Sequence, residues 1–406
     1  MEFLNAKGTK DINPGDKLVM DEIVDTIKNV FELYGYNPLD TPILERFEVL
    51  SSKYAGGAEI LKETFKLKDQ GDRDLGLRYD LTVPLSRFIA MNPNLKLPFK
   101  RYQIGKVFRD GPVSSNRIRE FTQCDVDVVG SKSLAYDAEI LAITNDIFKN
   151  MKFKFKIKIN NRKILDALLD EYNLENKEAV ILALDKLEKV GEKQVIEEIT
   201  NIIKNRNDSN DIIKRLKSKN LKLKNPKGID ELNEVLKYAK MFNVKNIEVD
   251  YSLARGLSYY TGTVFEVFTD SKEAIAAGGR YDEMISKFCN REMPAVGISF
   301  GLDRIFNLYK KKTKSLLQVY VIPINTLKQS LKIVNELRKN NIKVDIDLNE
   351  RSITKNLDYA NKLNIPYVIF VGKQELKSKK VKLRDMKTGK ERLLSLDKII
   401  KSLRSN

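Results

Sequence analysis

YSLARGLSYYTGTVFEVF, residues 251–268, places Arg255 as the only charged residue between Asp250 and Glu266. Gly256 follows the arginine, and two adjacent tyrosines, Tyr259 and Tyr260, come next. Thr263 to Phe268 then reads as a mostly apolar strand with Glu266 inside it. Adjacent strand residues point to opposite faces, so Glu266 shares a face with Val264 and Phe268. One charge on such a face needs a partner or water. Taken alone, the stretch would be a glycine-punctuated hairpin with an exposed arginine. It does not stand alone. Ala277-Gly278-Gly279-Arg280-Tyr281-Asp282 follows, then Ala295 to Arg304, AVGISFGLDR. The alternation of small and apolar residues in the latter predicts a strand, with Gly301 opening a helix that carries Arg304. A guanidinium suits phosphate because its planar fork donates two parallel hydrogen bonds.

Upstream, residues 99–130 read as two strands around a polar loop. Arg101 to Phe108 is the first strand, with Arg109 at its end. Asp110 to Asn116 is the loop, and Arg119 to Val129 returns. On the returning strand Phe121, Gln123, Asp125 and Asp127 share one face, with Thr122, Cys124, Val126 and Val128 on the other. Three polar residues opposite an apolar face are unusual for a core strand, so the polar face is expected to line a site. Further upstream, a turn at Gln70-Gly71-Asp72 precedes LRYDLTVP, residues 77–84. A hairpin there would deliver Asp80 and Thr82, two residues apart, onto one face. Pro84 in a first helical turn would open a helix running through Met91.

In this order the strings resemble class II aminoacyl-tRNA synthetases of the histidyl family, with LRYDLTVPLSRF close to the archaeal and eukaryotic form. The resemblance covers nearly the whole chain. It implies an α+β fold: the class II antiparallel sheet flanked by helices, a helical insertion, and a C-terminal α/β anticodon-binding domain. It implies an enzyme, a histidine–tRNA ligase, that joins L-histidine to ATP as histidyl-adenylate and passes it to tRNA(His). Asp80 and Thr82 would hold the α-ammonium group of histidine. Gln123 and Asp127 would bind the amino acid, with Tyr259 or Tyr260 on the second ring nitrogen. Arg109 would hold the substrate carboxylate and the α-phosphate of ATP, and Arg255 the α-phosphate. Phe121 would stack on adenine. Arg304, with Mg²⁺, would hold the leaving pyrophosphate. One departure stands out: many class II enzymes carry Glu two residues after the motif 2 arginine, where this chain has Gly111.

The remaining segments are expected to support this core. Asp16 would cap a helix from Leu18 to Tyr34, ended by Gly35. The helix and the extended segment holding Pro42 resemble motif 1, which implies a homodimer. KFKFKIKI, residues 152–159, predicts a strand with Phe153, Phe155, Ile157 and Ile159 inward and its lysines in water. Residues 162–245 show helical periodicity with a polar break at Asn205–Asn210, and in the family such an insertion leans over the tRNA acceptor stem. From Val319 strands and helices alternate: strands 319–324, 343–348 and 367–371, helices 327–340 and 352–364, a basic hairpin about Thr388-Gly389, and a last helix from Leu396. The expected domains are 1–318 and 319–406.

Composition agrees with a globular chain of two or three domains, 42% hydrophobic and 32% charged over 406 residues. No apolar run approaches the ~18 residues of a membrane span. Two cysteines and no secretory pattern point to a reducing cytoplasm. The formal charge is +17, and residues 316–406 carry 20 Lys and Arg against 9 Asp and Glu, a basic handle for nucleic acid. There is no histidine. Histidine acid/base catalysis, Ser-His-Asp triads and histidine metal ligands are excluded. The rival within the resemblance is a non-catalytic paralogue, the regulatory subunit of ATP phosphoribosyltransferase. It is disfavoured because Arg109, Arg255 and Arg304 are all present.

Overall fold

The computed structural model describes residues 2–52, 61–114, 117–218, 220–256, 259–270, 273–309 and 315–404. Leu257 and Ser258 of the opening stretch, and Ser115 and Asn116 of the polar loop, lie outside these. The chain divides into two compact units, residues 1–11 with 22–309, and residues 12–21 with 310–406. In chain order the strands are β1 (Asn37–Pro38), β2 (Leu44–Arg46), β3 (Lys66–Lys68), β4 (Asp74–Leu77), β5 (Phe99–Phe108), β6 (Glu120–Val129), β7 (Lys156–Asn161), β8 (Ile247–Val249), β9 (Thr263–Phe268), β10 (Ala276–Arg280), β11 (Ala295–Gly301), β12 (Val319–Pro323), β13 (Val344–Ile346), β14 (Tyr367–Val371), β15 (Val381–Asp385) and β16 (Glu391–Leu394).

The large sheet runs β1-β5-β6-β11-β10-β9-β7-β8 among the described residues. Its interior pairs are antiparallel, and only the edge pairs β1–β5 and β7–β8 are parallel. Register sorts the side chains into two faces. Tyr102, Val126, Cys124 and Phe300 fall on the back, where Phe31 of helix Pro14–Leu33 and Phe148 of helix Ala135–Asn150 pack on them. Arg101, Phe121, Gln123, Asp125, Asp127, Gly297, Ser299, Gly279 and Glu266 fall on the front. The back face is therefore a sheet–helix core, and the front carries the polar side chains and the small residues.

Helices Arg162–Asp170 through Lys227–Met241 follow β7, and those from Arg162–Asp170 to Arg206–Leu216 have their own core of Leu165, Leu168, Val180, Ile181, Leu184, Val195 and Ile213. In the second unit the sheet order is β13-β12-β14-β15-β16, parallel across the first three strands and antiparallel beyond. Val321, Val334, Leu337, Ile369 and Ile399 fill its centre. The expected strand–helix alternation is seen, with an added short helix, Lys373–Lys377, that the sequence reading passed over.

Four local expectations change. The first helix starts at Pro14, and Asn13 Oδ1 accepts from Asp16 N at 2.9 Å, so Asn13 and not Asp16 fills the capping position. Asp80 and Thr82 do not sit on a strand face: β4 ends at Leu77, and Thr82 opens the helix Thr82–Met91. Strand β7 begins at Lys156, because Lys152 takes a positive φ of 60° and breaks the alternation; Phe155 is still buried. Asn205 is no break within a polar loop, since it caps helix Arg206–Leu216 by accepting from the amides of Asn207 and Asp208. The chain turns one residue earlier, at left-handed Lys204.

Candidate active site

The front of β6 places the site. Asp127 is 4% exposed, and its Oδ2 lies 2.8 Å from Nη2 of fully buried Arg101, its cross-strand partner on β5. Tyr281 Oη donates to the other oxygen, Oδ1. A Cβ at Gly297, the facing residue on β11, would collide with that oxygen, so the absence of a side chain there lets Asp127 lie across the sheet. Burial raises the Asp127 carboxyl, while Arg101 and the Tyr281 hydroxyl act against the rise. Gly279 plays a similar part on β10: its Cβ would stand 2.8 Å from the Tyr260 ring.

The Tyr259 and Tyr260 rings lie 4.8 Å apart between centroids, tilted at 49°, and Tyr281 meets Tyr259 edge-on at 5.9 Å. Burial, then Tyr260 and Asp80, push the Tyr259 hydroxyl well above its ordinary range. Arg255 reaches Glu266 on the same face of β9, the partner that this carboxylate required. Its guanidinium carbon is 5.9 Å from the Tyr260 ring. Burial alone would lower the Arg255 pKa; Tyr260 and Glu266 outweigh it and hold the group charged.

Arg109 lies between two rings, 4.2 Å from Tyr79 and 5.0 Å from Phe121. The Tyr79 hydroxyl is 3.3 Å from Glu63 Oε2, and Arg117 pairs with the same carboxylate. A Cβ at Gly111 would be 2.7 Å from Glu63 Oε1, and Asp110 N donates to the Glu63 carbonyl at 2.7 Å. The acid beside the loop thus comes from a different segment, which the reading of Gly111 could not supply. Asp80 Oδ1 accepts from the amides of Thr82 and Val83 at 3.0 and 2.9 Å, at the start of helix Thr82–Met91. Burial raises Asp80; those amides, Arg109 and Arg101 oppose it. Arg304 is exposed, and Nη1 donates to the Ala274 carbonyl at 2.7 Å. Beside it, Asp303 Oδ2 accepts from Thr122 N at 3.1 Å, which ties the Arg304 helix to β6 next to Phe121.

Several buried side-chain atoms on this face have no hydrogen-bond partner among the described residues: Arg101 Nε and Nη1, Gln123 Oε1, Asp125 Oδ1 and Arg255 Nε. Such groups are costly unless a polar molecule meets them. The arrangement suits a small zwitterion with further polar atoms, with guanidinium groups at hand for phosphate. Sequence reasoning missed Arg101, Tyr281, Tyr79 and Glu63. Arg101 alone had a signal, since it is the one charge on its face of a strand whose partner carries two aspartates.

Asp125 is buried beside Asp127. Burial pushes it up to about 7; Arg101 works against this, whereas Asp127 and Asp80 add to it, and Ser299 hydrogen-bonds it. An acid whose folded pKa exceeds its unfolded value holds its proton more tightly when folded. The resulting stability is full below about pH 3.9 and is lost as the pH rises to about 7. Asp125→Asn should therefore gain stability relative to the parent as pH rises across that window. Thermal midpoints of both proteins from pH 4 to pH 8 check this; a constant difference would exclude the titration.

Comparison with known proteins gives consistent matches. A family profile described as Histidyl-tRNA synthetase matches residues 8–305, and one described as Anticodon binding domain matches residues 318–406. Histidine–tRNA ligase 1 of Bacillus cereus is 43% identical, with 96% of this chain and 97% of that protein covered. The crystal structure of histidyl-tRNA synthetase from Nostoc sp. PCC 7120 superposes with a TM-score of 0.88 at 30% identity, covering 100% of this chain and 99% of that one. A Bacillus halodurans structure described as an ATP phosphoribosyltransferase regulatory subunit/histidyl-tRNA synthetase shares the fold, with a TM-score of 0.76 at 22% identity over 91% of this chain and 98% of that one.

Proposed function

The chain belongs to the histidyl-tRNA synthetase family and acts as a histidine–tRNA ligase, and on that premise we propose which residues carry its two steps. In the first, a carboxylate oxygen of histidine bonds to the α-phosphorus of ATP as the bond to the bridging oxygen breaks and pyrophosphate leaves. In the second, a hydroxyl of the terminal ribose of tRNA(His) bonds to the carbonyl carbon and AMP departs. Both steps need positioning and charge neutralisation more than proton transfer. Asp80 and Thr82 take the α-ammonium group. Arg109 takes the carboxylate and, with Arg255, the α-phosphate. Phe121 stacks on adenine, and Arg304 meets the pyrophosphate. Gln123 and Asp127 hold the amino acid, with Tyr259 or Tyr260 on the second ring nitrogen.

The observation that carries this reading is the Asp127–Arg101 pair. A buried arginine opposes the rise that burial imposes on Asp127 and aims it across the sheet floor, and a carboxylate has acceptor capacity beyond Tyr281 and Arg101. Asp127→Asn keeps the shape and loses the charge. A hydrogen bond to a charged group contributes ~1.5–3 kcal/mol, so the KM for histidine should rise roughly tenfold or more. The KM for ATP should stay nearly level. Histidine-dependent ATP–pyrophosphate exchange measures both, with thermal midpoints to separate the loss of Arg101's counter-ion. An unchanged histidine KM in a folded variant would move the role to Asp125.

Mg²⁺ fits as a companion of ATP. Among the described residues no group of three His, Cys, Asp or Glu side chains could hold a metal ion. The ion would arrive on the phosphates, as Mg²⁺ commonly does. A homodimer accords with Ile43 and Leu44, 42% and 51% exposed in the segment that resembles motif 1. Domains of 1–318 and 319–406 give a catalytic part, with 162–245 over the acceptor stem, and a basic anticodon-binding part. The place of work is the cytoplasm; no described helix is long and apolar enough to cross a membrane. The motif around Asp80 keeps its archaeal and eukaryotic form in a chain whose relatives named above are bacterial.

A further inference from the structure

The loop that bears Arg255 is gripped from two sides. On the sheet side Asn160 Nδ2 donates to the carbonyls of Tyr251 and Leu253, both at 2.9 Å. On the other side stand the inserted helices. Ala254, immediately before the arginine, is 4% exposed and belongs to their hydrophobic core, with Tyr251 packed against it. Gly256, immediately after it, donates its N–H to Asp185 Oδ1 at 3.1 Å, and a Cβ at Gly256 would stand 3.2 Å from Asp185 Oδ2. Asp185 ends helix Lys177–Leu184. Lys158 on β7 reinforces the joint by pairing with Glu188 of the next helical turn and with Asp250 at 3.1 Å.

Arg255 thus depends on two carboxylates. Glu266 engages its guanidinium, and Asp185 fixes its backbone. We propose that Asp185 is a positioning residue for Arg255, through which the helical insertion sets where the guanidinium stands over the sheet. This rests on the reading of Arg255 as the α-phosphate ligand. When the guanidinium leaves Glu266 for phosphate, the backbone grip is what keeps its reach constant. Small misplacements of such a donor are costly, because transition-state stabilisation depends on fixed geometry.

The test is a double-mutant cycle in histidine-dependent ATP–pyrophosphate exchange. Asp185→Ala should lower kcat about tenfold, with a smaller change in the KM for histidine. Asp185→Asn keeps an acceptor oxygen and should stay within about twofold of the parent. In an Arg255→Ala background, Asp185→Ala should cost less than about twofold more, because the two residues act as one unit. Thermal midpoints identify any variant that fails to fold, and Asp185→Asn then carries the comparison. Full additivity with Arg255→Ala overturns the proposal and leaves the reading of Arg255 intact. So does Asp185→Ala at parental rate, or Asp185→Asn as damaged as Asp185→Ala. If Arg255→Ala itself stays within about threefold of the parent, the reading of Arg255 fails, and the proposal with it.

Discussion

Replacing Arg255 by alanine should lower histidyl-adenylate formation about 10²–10³-fold, the usual cost of removing one donor aimed at charge that develops in the transition state. The group is built for that task. It is held charged by Tyr260 and Glu266, and it stands on the polar face of the sheet with one nitrogen lacking a hydrogen-bond partner among the described residues. The loss should fall mainly on kcat, since an interaction made in the transition state does not set substrate affinity. Arg255→Lys should recover little, because an ammonium cannot present two parallel donors. Glu266, 13% exposed, loses its partner in Arg255→Ala, so a modest fall in thermal midpoint should accompany the loss of rate in that variant. Exchange kinetics on a folded variant decide the matter; a loss under about threefold would sink the assignment.

Arg280→Ala should instead unfold the protein more readily, by about 3–5 kcal/mol, the cost of stranding a buried charge. Arg280 is 3% exposed and Asp137 is fully buried. The guanidinium pairs with both oxygens of Asp137, with Asp282 Oδ1 at 3.1 Å, and with the carbonyls of Ser131 and Ser133 at 3.1 and 3.0 Å. Burial raises Asp137, and Arg280 restrains the rise. Without the arginine the folded pKa of Asp137 climbs further above its unfolded value. The variant should therefore lose more stability at pH 8 than at pH 4. Replacing both partners, Arg280→Met with Asp137→Leu, should cost less than either change alone. Denaturant titrations at the two pH values test this, and a pH-independent loss would assign the damage to packing. Arg280 lies in AGGRYD, yet its contacts are on the back of the sheet, away from the polar face.

What was legible in the sequence had short-range causes. The alternation from Phe121 to Val128 fixed which side chains share a face, because strand geometry alone decides it. Gly301 opening the Arg304 helix was readable for similar reasons. What was hidden depended on register between distant strands or on competition between neighbours. Arg101 looked like the start of a strand until pairing set it against Asp127. Asp80 looked like a strand residue until the helix start at Thr82 turned its carboxylate into a cap. Asn13 and Asp16 are both good caps, and Pro14 in the first helical position favours the earlier one. Glu63 could not be found from Gly111, because the two meet only through folding of separate segments.

The bare floor of the sheet has a consequence for anyone who would retrain this pocket to take an unnatural amino acid. At Gly297 and Gly279 even a methyl group runs into Asp127 or the Tyr260 ring, and glycine cannot be made smaller. Those two codons should be frozen in any library. Diversity belongs at Gln123 and Asp125 of the same face and at Tyr259, where side chains stand on the backbone and can be shortened to make room.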